Sequence, residues 1–192
     1  MKHAPKVFAL VAAVALAGCG GDDGGGTENA GQMGSSSSSV PFDRAFIDGM
    51  VPHHQSAIEM ARAAMLAGLS QPDLVKVAED IVRTQKQEID QMRGWRDAWF
   101  GSSAIDPEGV RTLGLSEAEM GMKHDGADFS TAADVDQAFA SMMIDHHRGA
   151  IRMAELAEDR GQHAEIKELA GGIIAAQNRE IAIMEKHAGG HH

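Results

Sequence analysis

FIDGMVPHHQSAIEM, residues Phe46–Met60, is nearly repeated by FASMMIDHHRGAIRM, residues Phe139–Met153, 93 positions further along the chain. In both segments a Met stands three residues before a His-His pair, and a second Met follows six residues after that pair. The apolar residues recur at the spacing of one helix face. The two segments therefore predict two equivalent helices.

The likeness between the two segments continues on both sides of them. It begins at Asp43 and Asp136, and each copy is long enough for two helices and a turn. We therefore predict an all-α four-helix bundle made of two repeated helical hairpins, over about 43–100 and 133–187, with a long connector over 101–132. Four residues near the end of each hairpin also correspond: Gln85, Glu88, Ile89 and Met92 in the first, and Gln177, Glu180, Ile181 and Met184 in the second.

Capping residues predict where the helices begin and end. Asp43 is the predicted N-cap of the first helix, which runs to about Ala67 and is kinked by Pro52. Ser70 is the predicted N-cap of the second helix, which runs to about Phe100. In the connector, Ser116 is predicted to cap a short helix that ends at Lys123. The remaining helices are predicted over about Ala133–Arg160 and His163–His187.

The N-terminal 40 residues have the layout of an export signal followed by a tether. Residues 1–18 combine Lys2 and Lys6 with an apolar run and lack acidic residues, which is typical of a secretory signal. The sequence Leu-Ala-Gly-Cys at 16–19 resembles a bacterial lipobox, so we expect cleavage before Cys19 and lipidation of that residue. The alternative is an ordinary signal with an incidental Cys. Residues 19–40 are a Gly/Ser-rich tether, and 41–192 form the bundle.

Composition limits the chemistry of this chain. Its net charge of −11 argues against nucleic acid or anionic lipid as a partner and favours the attraction of cations. Cys19 is the only cysteine, which excludes thiolate clusters as metal sites. The chain has 12 Met and 10 His but no Tyr. A soft-metal site would therefore be built from thioethers and imidazoles.

The repeated Met and His residues occupy one half of each predicted helix, with the small Ala57 and Ala150 at the centre of that face. Thioether sulfur selects Cu(I) or Ag(I), and imidazole binds both copper states. The alternative is that the methionines fill the core and the histidines are structural hydrogen-bonding links. The predicted copper ligands are Met50, His53, His54, Met60, Met143, His146, His147 and Met153.

Further polar and sulfur groups have predicted supporting or secondary roles. The buried amides and carboxylates of the partner helices need hydrogen-bonding partners, and the imidazole N–H groups facing them are suitable. These supporting residues are Gln85, Glu88, Gln177 and Glu180. Candidate secondary metal ligands are Met92, Met184, Met120, Met122 and His124. His187, His191 and His192 form a His-rich tail that is either a loose metal site or only the end of the chain, and His163 is expected at the surface.

Enzyme motifs are missing from the sequence. No Glu stands three residues before any His, so the di-iron Glu-x-x-His pattern does not occur. The nucleophile elbow, the phosphate loop and the dinucleotide-binding glycine pattern do not occur either. A metal-dependent oxidase is kept as the weakest alternative, and a metal-free structural or interaction lipoprotein of the cell envelope as the main one.

The doubled motif, together with QKQEIDQMRGW and QNREIAIM after it, resembles the family known as domain of unknown function 305. The resemblance spans nearly all of Asp43–His187 and implies a ferritin-like fold and export from a bacterial cell. Some members, of the CopM type, bind copper through Met and His and contribute to copper resistance. The resemblance implies the same eight ligands and the same supporting residues. Asp145 departs from the family pattern, which often has Pro there, so the two halves are not expected to be identical.

The sequence therefore predicts an extracytoplasmic protein, anchored to the membrane only by lipid, that binds copper as Cu(I) or Cu(II). It would buffer the metal or pass it to a partner protein. The doubled motif leaves two arrangements open, which are two or more Cu(I) sites and one site shared between the repeats.

Overall fold

A computed structural model describes residues 40–124 and 128–189, and these residues are all-helical. The α-helices are α1 (Phe42–Ala67), α2 (Pro72–Phe100), α3 (Val135–Arg160) and α4 (Ala164–Met184). Two short 3-10 helices, Gly109–Leu113 and Met122–His124, lie in the connector. None of the helices in these ranges is both long and apolar enough to cross a membrane. The predicted fold class is confirmed.

The bundle is two hairpins that pack through their first helices. Short links join α1 to α2 and α3 to α4, and Gly68 ends α1 in the left-handed conformation, with φ 103°. The most extensive helix contacts lie within the hairpins, and α1 against α3 forms the main contact between them. Since α1 and α3 carry the repeated motifs, this packing brings the two motifs together.

Asp43 caps a helix of the other hairpin, so its predicted role as N-cap of α1 is wrong. Pro41 is the N-cap of α1 and provides no side-chain hydrogen bond. The Asp43 carboxylate is buried and accepts hydrogen bonds from Gln162 N at 2.9 Å and His163 N at 2.9 Å. It also contacts the His163 ring at Nδ1. These backbone N–H groups precede α4 and have no acceptor within that helix.

Asp136 of α3 caps the start of α2 in the first hairpin. It accepts hydrogen bonds from Ser70 N at 2.8 Å, Ser70 Oγ at 2.7 Å and Gln71 N at 3.0 Å. The predicted capping of α2 by Ser70 is therefore wrong, because Gln71 is the N-cap and Asp136 supplies the acceptor. Desolvation opposes ionisation of Asp136, but the bonds from Gln71 and Ser70 outweigh it and lower the pKa. Each hairpin thus caps the other, which holds α1 and α3 antiparallel.

Other predicted boundaries shift by a few residues. Asp134 is the N-cap of α3 and accepts a hydrogen bond from Gln137 N at 2.9 Å, so α3 begins two residues later than predicted. Helix α4 ends at Met184, short of the predicted His187. The predicted capping by Ser116 is confirmed, since Glu119 N donates to Ser116 Oγ at 3.3 Å and Ser116 N donates to Glu119 Oε2 at 2.9 Å. The stretch that follows forms turns and a 3-10 helix instead of one continuous short helix. The predicted signal, the lipidated Cys19 and the tether as far as residue 39 lie outside the described residues.

A buried ion pair fixes the start of the connector. Arg96 is 3% exposed, and its Nε lies 2.8 Å from Oδ1 of Asp48, which is 1% exposed. Arg96 also donates to Ser102 O at 2.9 Å, and Asp106 N donates to Asp48 at 3.1 Å. These bonds satisfy both buried charges. The connector therefore leaves α2 along α1, in the direction of the repeated motif.

We predict that Asp43→Ala lowers the free energy of unfolding by about 2 kcal/mol, because two backbone N–H groups at the start of α4 lose their acceptor. Urea denaturation of the metal-free protein measures the change. Asp90→Ala, which removes an exposed pair with Lys86, is the matched control and should cost less than about 0.5 kcal/mol. Equal losses in the two variants would contradict the capping role.

Candidate metal centre

The four repeated histidines meet where α1 crosses α3. Each of His53, His54, His146 and His147 is at most 1% exposed. The His53 and His146 rings come from different hairpins, and their centroids lie 3.8 Å apart with an interplanar angle of 42°. The two motifs therefore form one buried imidazole cluster instead of two separate ones.

A carboxylate of the second helix fixes one histidine in each hairpin. His54 Nε2 lies 2.8 Å from Glu88 Oε2, and His147 Nε2 lies 2.7 Å from Glu180 Oε2. These are the imidazole–carboxylate contacts expected from the sequence. A carboxylate accepts, so Nε2 carries the proton in each ring. In the neutral ring Nδ1 then has a free lone pair.

The glutamines of the same helices behave differently. Gln85 and Gln177 are each 3% exposed, but their Oε1 atoms accept no hydrogen bond from any described residue. The expected pairing of these side-chain oxygens with imidazole is therefore wrong. Buried amide oxygens without a donor are costly, at about 1–3 kcal/mol each.

The backbone of the connector fixes the tautomer of His53. Its Nε2 lies 2.8 Å from the carbonyl oxygen of Met120, which can only accept, so His53 Nε2 is the donor. The Nδ1 atoms of His53, His54 and His147 have no hydrogen-bonding partner in the described part of the chain. An imidazole with one N–H held by an oxygen and its other nitrogen unbonded is the usual arrangement of a metal-binding histidine.

Burial keeps His53 neutral. Desolvation, and after it the proximity of His54, lowers the pKa of His53 to about 3, while the hydrogen bond to Met120 acts in the opposite direction. Only the neutral imidazole binds a metal ion. In the folded protein His53 is therefore neutral above about pH 3, and the neutral ring is the form that binds a metal ion.

The methionines form two groups, one on each side of the histidines. In hairpin α1–α2 the His54–Glu88 contact sets the register, which places Met50 opposite Met92. These two share a buried apolar cluster with Met153 of α3. The residues at the corresponding positions of the repeat lie in the second cluster: Met60 of α1, and Met143 and Met184 of the other hairpin. All six are at most 3% exposed.

The thioether groups therefore combine residues of both hairpins. The first and second Met of one motif belong to different clusters, although the sequence places them on the same helix face. Across the described residues, no three or more His, Cys, Asp or Glu side chains are arranged to hold a metal ion. A site built from three or more imidazole or carboxylate ligands is thus not assembled in these ranges. The available donors are buried sulfur and single imidazole nitrogens, which suit a soft metal.

The secondary candidates lie at different places. Met120 is 8% exposed and Met122 is half-buried, and both lie beside His53. His187 contacts Asp73 through Nε2 at 2.9 Å, which ties the end of α4 to α2. His163 is more than a surface residue, because it contacts Asp43. The side chain of His124, and all of His191 and His192, lie outside the described residues.

Sequence reasoning named connector methionines as secondary candidates but missed the hydrogen bond between the connector backbone and His53. Met120 and Gly121 lie directly on α3, where a Cβ at Gly149 would overlap the Met120 carbonyl. Gly121 has φ 74°, a conformation that favours glycine. The signal was present, since Gly149 stands where the first repeat has Ser56.

We predict that acid destabilises the metal-free protein through His53. From about pH 6.5 down to about pH 3 the unfolded chain binds a proton there and the folded protein does not, so the free energy of unfolding falls as pH falls. The loss at pH 5 is about 2 kcal/mol. Urea denaturation at pH 7 and pH 5 should show a smaller loss in His53→Gln, which keeps an N–H donor. The same loss in both proteins would contradict the assignment.

Solved structures of similar fold include copper-bound proteins. CopM in the Cu(I)-bound form is 33% identical, with a TM-score of 0.61 over 75% of this chain and 93% of that chain. CopM in the Cu(II)-bound form is 31% identical, with a TM-score of 0.62 over 76% and 95%. A putative secreted protein from Streptomyces coelicolor is 26% identical, with a TM-score of 0.62 over 80% and 99%. Among curated proteins there is no match.

The sequence matches the family described as domain of unknown function, DUF305, over residues 43–188. This range includes the connector and all four helices except Phe42, the first residue of α1. The structural relatives are CopM and other DUF305 proteins. The chain therefore belongs to the DUF305 family.

Proposed function

We propose that this protein is a lipid-anchored, extracytoplasmic copper-binding protein that buffers copper or passes it to another protein. Its ligands are the imidazoles of the cluster and the thioethers beside it. Of the six clustered methionines, Met92 and Met184 complete the groups formed by the motif residues. The principal ligands are Met50, His53, His54, Met60, Met143, His146, His147 and Met153.

One observation carries the proposal. Three fully buried histidines hold Nε2 against an oxygen and leave Nδ1 without a hydrogen bond within the described residues. A purely structural histidine would use both nitrogens, because an unbonded buried nitrogen costs about 1–3 kcal/mol. A metal ion bound at Nδ1 would offset that cost. The similarity to CopM, which has been solved with Cu(I), Cu(II) and Ag, supports copper as that metal.

The two ligand types differ in the copper oxidation states that they bind. The thioether groups, at the two ends of the imidazole cluster, favour Cu(I). Imidazole binds Cu(I) and Cu(II), so the cluster between them serves both states and connects the two thioether groups. The doubled motif thus gives two Cu(I) sites that share a histidine centre, each with ligands from both hairpins.

The two halves of the centre are not equivalent. Asp145 precedes His146 directly and pairs with Lys123 of the connector at 2.8 Å. The corresponding residue of the first repeat is Pro52, which has no charge. The connector therefore binds to the second motif by charge and to the first motif by the Met120–His53 hydrogen bond. We expect the two Cu(I) sites to differ in affinity.

The proposed anchor rests on the sequence alone. A lipid on Cys19 and a tether of about twenty Gly/Ser-rich residues would place the bundle roughly 25 Å from the bilayer. The negatively charged chain would stay clear of an anionic surface at that distance. Such an arrangement suits a protein that captures metal ions outside the cytoplasm.

We predict that Met50→Leu combined with Met153→Leu weakens Cu(I) binding at one of two sites by at least about tenfold, because two of the three thioethers of one cross-hairpin group are lost. Anaerobic titration against a competing Cu(I) chelator measures the affinities. Leucine keeps the volume of the core, so the fold is retained.

Met65→Leu with Met142→Leu is the matched control for this pair. Both residues are half-buried, one on α1 and one on α3, and neither belongs to a buried thioether group. The control should leave both affinities unchanged. If the Met50 and Met153 double variant also binds like the wild type, the thioethers are core residues only, and the metal-free scaffold becomes the better account.

We predict that Cys19→Ser moves the protein from the membrane fraction to the soluble fraction, because the residue that accepts the lipid is lost. Cell fractionation with immunoblotting measures the distribution, and mass spectrometry of the wild type measures the lipid. Ser38→Ala, in the tether, is the control and should remain with the membrane. A wild-type protein that is soluble and carries no lipid would remove the anchor from the proposal.

A further inference from the structure

A cavity of about 350 Å³ opens between α1 and the connector, directly beside the histidine cluster. His53 and Pro52 line it on the side of α1, and Glu117, Met120 and Met122 line it on the side of the connector. It has a thioether pair and an imidazole on facing walls. Asp48 also lines the cavity, but its carboxylate is already paired with Arg96.

The connector wall is held in place by contacts of its backbone. Arg152 donates to Glu119 O at 2.8 Å, and Lys123 pairs with Asp145 at 2.8 Å. Between them, Met120 O accepts from His53, and Gly121 lies against the backbone of His146. The backbone carries these contacts, and Met120 and Met122 line the cavity while they also pack against the buried apolar cluster that contains Met50.

The methionine and histidine residues that line the cavity differ in exposure, which falls from Met122 to Met120 to His53. Met122 is half-buried, Met120 is 8% exposed, and His53 is 1% exposed. His53 also has an Nδ1 with no hydrogen-bonding partner among the described residues. A segment that served only to cover the groove would fill the space, because protein interiors are close-packed. Here Met120, Met122 and Val110 border an open volume instead.

From this arrangement we propose that the cavity is the loading site of the protein, where a soft monovalent metal ion is first bound by Met122 and Met120 and then passed to His53. This inference rests on the proposed function, because it names the path to the same copper centre. The transfer is a ligand exchange in which thioether sulfurs leave as the imidazole nitrogen binds. The oxidation state of the metal does not change.

The chemistry of the wall residues selects the ion. Thioethers bind Cu(I) and Ag(I) strongly and have little affinity for hard cations. Glu117 is exposed at the cavity and adds negative charge, which attracts a cation without competing for a soft one. Because thioethers do not titrate, capture of the ion in the cavity does not compete with protonation of these ligands.

The test is NMR of the full-length protein with ¹³C-labelled methionine methyl groups, titrated with Ag(I). We expect the Met120 and Met122 methyl signals to shift at lower Ag(I) than those of Met50 and Met153. In Met120→Leu with Met122→Leu the early shifts disappear, and stopped-flow uptake of Ag(I) becomes slower while the core methyls still shift at saturation. Met142→Leu is the control and should keep the wild-type order.

Two other results decide against the inference in different ways. If the core methyls shift first, or if the Met120 and Met122 double variant takes up Ag(I) at the wild-type rate, the loading site is wrong and the copper proposal stands. If no methionine methyl shifts at saturating Ag(I), both the loading site and the thioether ligands are wrong.

Discussion

At the crossing of α1 and α3 the His53 ring lies on the His146 ring, and neither ring is reached by solvent. Buried imidazoles must have their N–H groups bonded to protein acceptors, because water is excluded. This constraint explains the surrounding structure. Glu88 and Glu180 lie inside the hairpins to accept from the second histidine of each pair, and the connector crosses α1 so that a carbonyl accepts from His53.

The same constraint explains where the remaining anchors lie. The connector reaches His53 only because Arg96 and Asp48 fix its start and because Gly121 and Gly149 allow backbone contact at its end. The two hairpins keep their crossing because each caps the other through Asp43 and Asp136. The buried bonds among these, made by Asp43, Asp48 and Arg96, cost desolvation and contribute little net stability. Their effect is to fix one arrangement of side chains around the histidines, which a metal centre requires.

The sequence predicted what depends on local spacing. The repeated motif predicted the helices, the inward face that carries Met and His, and the carboxylates opposite the imidazoles, because all of these follow from helical periodicity and hairpin register. Contacts between the hairpins were not predictable in this way. In the sequence Asp43 looks like a local cap. In the structure it accepts a hydrogen bond from Gln162 N, which is 119 residues away.

The grouping of the methionines was missed for the same reason. Met50 and Met60 share a helix face, and the sequence leaves open how they are grouped with the second motif. The antiparallel crossing places Met153 with Met50 and Met143 with Met60. The crossing angle and direction of two helices depend on tertiary packing. The position of Met120 on His53 likewise depends on the path of a connector that has no periodic pattern.

X-ray absorption spectroscopy at the copper edge of the Cu(I)-loaded protein tests the central claim most directly, because it identifies the atoms bound to the metal. Removal of residues 190–192 beforehand excludes the terminal histidines as ligands. Sulfur together with nitrogen in the first coordination shell is the predicted result. A shell of nitrogen and oxygen alone would contradict the account, since the buried thioethers would then serve only as core.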